Sequence, residues 1–122
     1  MTYTLTVDIR KPPLTANEMR RAHYRTIAQK KKEAAEPVAW LVRQHQIPML
    51  ERVDVTVTWF APDARRRDSD SLGPYCKAVL DALVAAQVLR DDDSRYVRQT
   101  AMRVEIDRTR PRIEIELKEV TE

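Results

Sequence analysis

Four stretches of this 122-residue chain alternate apolar and polar side chains with a period of two, and two helix-patterned stretches separate the first three. A period of two sends successive side chains to opposite faces of a strand, so each stretch asks for a sheet with one covered face. The clearest is Glu51–Phe60, with Val53, Val55, Val57 and Trp59 on one face and Asp54, Thr56 and Thr58 on the other. Tyr3–Ile9 sets Tyr3, Leu5, Val7 and Ile9 against Thr4, Thr6 and Asp8. Lys11-Pro12-Pro13 ends it, because proline cannot donate to the ladder. Tyr96–Ile106 carries Tyr96, Arg98, Thr100, Met102, Val104 and Ile106 in one phase. Ile113, Ile115 and Leu117 alternate with Glu114, Glu116 and Lys118, and the turn at Asp107–Pro111 makes the last two strands read as a hairpin.

The helical stretches have different characters. Glu18 to about Gln46 is interrupted; Thr15 and Asn17 are candidate caps, and Met19, Ala22, His23 and Ile27 form one short face. Pro37 breaks or kinks the pattern or starts a fresh helix, after which Val38, Leu41 and Val42 recur at helical spacing. The second helix starts at Gly73-Pro74, with Tyr75, Val79, Leu83 and Ala86 as its core stripe and Leu80 and Val84 beside it. The order β-α-β-α-β-β predicts an α+β fold: one domain over residues 1–122, a four-stranded mixed sheet with helices on one face.

Composition narrows the function. The single glycine, Gly73, excludes glycine-rich phosphate loops of the Rossmann and P-loop kinds. One cysteine, Cys76, allows no intrachain disulfide and fits a reducing compartment. There is no long apolar run and no secretory leader pattern, which predicts a protein that stays in the cytoplasm and off the membrane. Charge is uneven: residues 1–50 hold nine Lys and Arg against four Asp and Glu, and residues 51–122 hold 13 against 15. The window Arg20–Lys32 contains Arg20, Arg21, Arg25, Lys30, Lys31 and Lys32 and no acid. Such a window is either a solvated helix face or a surface for a polyanion.

The chemistry concentrates between Arg65 and Asp93. Arg65, Arg66 and Arg67 precede Asp68 and Asp70. On an extended segment an i, i+2 pair points the same way, with Cα atoms about 7 Å apart. Two carboxylates about 5 Å apart at an effective dielectric near 20 repel by about 3 kcal/mol. The three arginines offset that, or a hard cation such as magnesium does. Lys77, one turn into the second helix, either reaches back toward the aspartates to hold a phosphate or pairs with Asp81 four residues on. Asp91, Asp92 and Asp93 follow the helix C-terminus, where the dipole disfavours anions. They form a solvated acidic turn, or one of them is kept there as a third ligand.

These residues carry a resemblance. D-x-D, a lysine, Asp81-Ala82-Leu83 and a later Asp-Asp resemble the RusA family of Holliday junction resolvases, as do the strand before the arginines and the stretch LTANEMRRAHYR. The likeness covers nearly the whole chain and matches a phage branch with a longer spacing from Asp70 to Lys77. It implies a small magnesium-dependent endonuclease, with manganese as a substitute metal, acting on four-way DNA in a bacterial or phage-infected cytoplasm. It assigns metal-binding roles to Asp68, Asp70 and Asp92, catalysis to these and Lys77, and DNA contact to Arg67. Arg20, Arg21, Arg25, Lys30, Lys31, Lys32, Arg65 and Arg66 are the remaining backbone-binding candidates. The chain departs from the family in having Ser71 where asparagine is usual and Gln87 where a helix-ending glycine is common.

Span arithmetic adds an expectation. A helix from Pro74 to Gln87 is about 21 Å long, and five further residues reach at most about 17 Å. Asp92 then returns to the Asp68–Asp70 end only if the helix is shorter or tilted. Two such helices antiparallel about a two-fold would set Asp92 beside Asp70 of the partner subunit, which predicts a homodimer with composite sites. Rival readings are a magnesium nuclease for other DNA structures, a catalytically silent branched-DNA-binding dimer with Ser71 as its mark, and a structural domain with a solvated acidic turn.

Overall fold

A computed structural model describes residues 1–21 and 23–120. The elements are β1 (Thr2–Val7), α1 (Ala16–Arg21), α2 (Tyr24–His45), β2 (Val53–Ala61), a 3₁₀ turn (Ser69–Leu72), α3 (Gly73–Ala85), β3 (Val97–Ile106) and β4 (Arg112–Glu119). The four strands form one mixed sheet in the order β1-β4-β2-β3. The predicted element order and fold class hold.

The alternation does what its period dictates. Leu5 and Val7 of β1, Val53, Val55, Val57 and Trp59 of β2, and Ile113, Ile115 and Leu117 of β4 are all buried in one cluster. Leu5 and Val57 both lie opposite Ile115 of β4, so three strands stack apolar residues in register. Tyr75, Val79, Leu80 and Leu83 of α3 and Ala34, Val38 and Val42 of α2 close the same core. Each fully buried aliphatic side chain contributes about 1.5–3 kcal/mol. The other face presents Thr4, Thr56, Thr58, Arg103, Glu114 and Glu116 around a shallow polar surface.

The hairpin expectation fails. β3 pairs with β2 in parallel, and β4 lies between β1 and β2, antiparallel to both. The turn does not fold β4 back on β3; it crosses the end of β2, where the Asp107 amide donates to the Ala61 carbonyl at 2.9 Å. The Asp107 carboxylate accepts from the Thr109 and Arg110 amides at 3.1 and 3.0 Å and from Arg112 at 2.8 Å, which fixes the crossing. β2, α3 and β3 therefore form a parallel β-α-β unit.

Two helical expectations also shift. α2 runs unbroken through Pro37, and the interruption falls instead between Arg21 and Tyr24. Proline removes one backbone donor, and burial of Ala34, Val38 and Val42 around it holds the helix together. Met19 and Ile27 pack against the core but His23 is exposed, so the four-residue face does not form; its Ala22 lies outside the described residues.

Both long helices end in a left-handed residue. Gln46 has φ 52°, and Gln87 has φ 64°. The Gln87 amide donates to the Val84 carbonyl at 3.0 Å and the Val88 amide to the Leu83 carbonyl at 3.0 Å, the pairing of a Schellman turn. Val88 and Leu83 are fully buried, so the turn is clamped by the apolar contact that usually accompanies it. α3 thus stops at Ala85 and the chain doubles back along it.

Candidate active site

Asp68 and Asp70 line one cleft of about 600 Å³ together with Lys11, Asn17, Arg20, Trp59, Arg66, Arg67 and Ser71. The two carboxylates do not converge by strand alternation. Asp68 is extended and caps the 3₁₀ turn, whereas Asp70 lies within it, and the Ser71 amide donates to the Asp68 carbonyl at 3.1 Å. The tight turn, anchored by the buried Leu72, brings both acids to the cleft. Both are exposed, so neither meets the full cost of burying a charge.

The opposite wall is the start of α1. Thr15 and Glu18 form a capping box: the Glu18 amide donates to Thr15 Oγ1 at 3.4 Å, and the Thr15 amide donates back to Glu18 Oε1 at 3.4 Å. Glu18 also pairs with Lys30 of α2 at 3.0 Å and with Lys11 at 3.9 Å. Burial works to raise the Glu18 pKa, but Lys30, the Thr15 amide and Lys11 together hold it below the usual value. Leu14, just before the box, is buried with a left-handed φ of 61°, a local strain held by its packing.

The arginine loop is fixed from below. The Trp59 indole donates to the Arg10 carbonyl at 3.0 Å, and the Arg67 guanidinium lies 4.7 Å from the Trp59 ring centroid. Arg67 also donates to the Asp63 carboxylate at 2.8 Å and to the Asp63 carbonyl at 2.9 Å, and only 16% of its side chain is exposed. It holds the loop that presents Asp68. Arg65 is 82% exposed with a loose pair to Asp63 at 3.6 Å, and Arg66 is exposed at the cleft wall.

A second cluster sits on α3. Lys77 pairs with Asp92 of the same chain and with Asp81 at 3.0 Å. Asp92 chiefly, then Asp81, pushes the Lys77 ammonium up to about 12, and Lys77 in turn holds Asp92 below the ordinary carboxylate range. The condition set by the span arithmetic is met: the helix is shorter, the turn at Gln87 folds back, and Asp92 meets Lys77, one turn into its own helix. The Cα of Lys77 lies about 6 Å along the axis from the first residue of α3, and the 3₁₀ turn that carries Asp70 ends immediately before that first residue.

Among the expected DNA-binding residues, Arg20 lines the cleft and donates to Asn17 at 2.8 Å. Arg25 and Lys31 are exposed, Lys30 is held by Glu18, and Lys32 makes a 3.8 Å pair with Glu36. Arg21 ends α1, and its side chain lies outside the described residues. Lys11, Asn17 and Trp59 also line the cleft. No sequence pattern marks them, since Lys11 sits in a strand-ending Lys-Pro-Pro and Trp59 in the core phase of β2.

The donor set fits a magnesium ion of the kind that takes one or two carboxylates, several waters and a substrate phosphate. Asp68 and Asp70 supply that pair from one solvent-open cleft. Among the described residues, no three His, Cys, Asp or Glu side chains are gathered tightly enough to hold a metal, and Asp92 is paired with Lys77. No described helix is long and apolar enough to cross a membrane.

Residues 11–118 match the family model described as endodeoxyribonuclease RusA. No curated protein matches the chain.

Proposed function

The chain belongs to the RusA family of endodeoxyribonucleases, and on that premise we propose that it resolves four-way DNA junctions by paired, symmetric, magnesium-dependent nicks. The observation that carries this reading is the single cleft in which Asp68 and Asp70 face Arg20, Arg66 and Lys11. Acids for a metal and cations for a phosphate chain share one opening there.

Each chain residue has a task in this reading. Arg20 and Arg66 grip the phosphates flanking the scissile bond, with Arg25, Lys31 and Arg65 extending the track. Arg67 positions the loop. Asp68 and Asp70 would hold the metal, and Asp92, if released from Lys77, would be the third carboxylate. When bound, magnesium supplies Lewis acidity at the phosphate and acidifies the attacking water. Lys77 stays an ammonium throughout the working pH range, so it serves as fixed positive charge against the charge building on the phosphate and not as a base. The protein acts as a homodimer, because a four-way junction offers two equivalent strands and one cleft cuts one of them.

One observation favours a second reading. Asp92 is engaged with Lys77, not gathered with Asp68 and Asp70. A protein fixed in that arrangement would bind branched DNA without cutting it. A labelled synthetic four-way junction incubated with the protein, with magnesium and with chelator, decides between them. Symmetric paired nicks that need magnesium are expected, and Asp70→Asn should lose them while keeping junction binding. Binding without nicks establishes the silent protein, and equal cutting of flaps or duplex removes the junction preference.

A further inference from the structure

Tyr24 is 67% exposed. It is the first residue of α2, immediately after the break that separates α2 from α1. Its neighbours are polar: the His23 ring lies 4.4 Å away, centroid to centroid, tilted by 37°, and the Arg25 guanidinium lies 5.9 Å from the Tyr24 centroid. His23 is itself locked, accepting from the Arg25 amide at 3.3 Å through Nδ1 as the cap of α2. The aromatic pair is therefore held out from the surface within the acid-free window Arg20–Lys32.

Position gives this exposed ring a use. Arg20, four residues earlier, lines the cleft that holds Asp68 and Asp70. Four residues span at most about 14 Å, so Tyr24 lies within that distance of the cleft wall along the chain. The other well-exposed aromatic, Trp40, lines a groove in which Asp8, Glu33 and Glu36 outnumber Arg43, a net negative lining that disfavours a polyanion. Tyr24 combines a ring that is two-thirds exposed, a cationic setting and nearness to the acids. Base–aromatic stacking tolerates any sequence because every base has a π-face.

We propose that Tyr24, backed by His23 and Arg25, stacks on a base at the branch point of the junction, where continuous stacking is interrupted, and so sets which phosphate enters the Asp68–Asp70 cleft. This rests on the junction-resolving reading. The ring is a positioning element: it touches DNA away from the reacting atoms and limits how far the branch point slides past the cleft.

The test uses the full-length protein in chelator, a four-way junction carrying 2-aminopurine at the branch point, the same junction with the probe in an outer arm, and a duplex of matching sequence. Wild type and Tyr24→Phe should quench the branch-point probe, whereas Tyr24→Ala and Tyr24→Leu should not. The same two should bind the junction roughly tenfold more weakly, with duplex binding unchanged. In magnesium, their nicks should spread over neighbouring phosphates. Quenching and cut position unchanged in Tyr24→Ala overturn the proposal while leaving the junction reading intact. Wild type that binds duplex as tightly as junction overturns the junction reading itself, and this proposal with it. Superimposable thermal melts of the variants establish that the losses are not unfolding.

Discussion

Lys77 and Asp92, fifteen residues apart, close an ion pair within one chain across the turn that ends α3. Asp81 braces the ammonium from the other side at 3.0 Å. The folded pKa of Lys77, about 12, lies above its usual 10.5. Its contribution to stability is therefore fully present below pH 10.5 and is lost as pH rises through 12. Lys77→Ala and Asp92→Asn should each slow junction cleavage by roughly 10²–10³. Acting as one unit, the double variant should be about as slow as the worse single one. Single-turnover rates at saturating protein measure this, and losses that multiply would show two independent roles.

Glu18 joins the cap of α1 to Lys30 of α2. Its folded pKa lies below 4.5, so its contribution to stability is present above pH 4.5 and fades as pH falls through the lowered value. Glu18→Gln keeps the capping hydrogen bonds but removes the charge. Urea melts should show the variant about 0.5 kcal/mol less stable at neutral pH, as for a largely solvated pair. The gap should close progressively in acid below pH 4.5. A gap that persists there would place the effect in the cap and not in the charge.

Gln87 occupies the left-handed position that returns the chain toward Lys77, with φ 64°. A non-glycine residue costs about 1–2 kcal/mol in that conformation, and glycine gives back about 0.5–1 kcal/mol through its freer unfolded chain. Gln87→Gly should therefore raise stability by roughly 0.5–1 kcal/mol in urea melts. A loss would mean that the Gln87 side chain holds the turn through contacts of its own.

How far the sequence could be read depended on the range of each interaction. Strand phase was legible because Val53, Val55, Val57 and Trp59 are set by a local period, and all four are buried. Strand order was not, because the Asp107–Pro111 turn looks like a hairpin and only the long-range bond to Ala61 shows the crossing. A compositional sign existed: Ile113, Ile115 and Leu117 are fully buried in the interior strand β4, whereas β3 exposes Arg98, Gln99, Thr100 and Arg103 along an edge. The return of Asp92 was hidden for a similar reason, since no glycine announces the turn at Gln87. Asp68 and Asp70 were expected at one site, and they line one cleft, though through a 3₁₀ turn in place of an extended segment.

Arg66 and Arg67 are adjacent but differently used. Arg67 is clamped by Asp63 and Trp59, whereas Arg66 faces the cleft in solvent. Arg67→Ala removes hydrogen bonds and a largely buried cation–π contact, and should cost about 1–2 kcal/mol of stability. Arg67→Lys should not restore it, because an ammonium lacks the planar fork. Arg66→Ala should leave stability within about 0.5 kcal/mol. It should instead lower the slope of log affinity for junction DNA against log salt by about 1. Anisotropy titrations at several salt concentrations, with urea melts of the same preparations, separate the two effects. If Arg67→Ala flattens the salt slope as much as Arg66→Ala and leaves the melt unchanged, Arg67 binds phosphate and the loop stands without it.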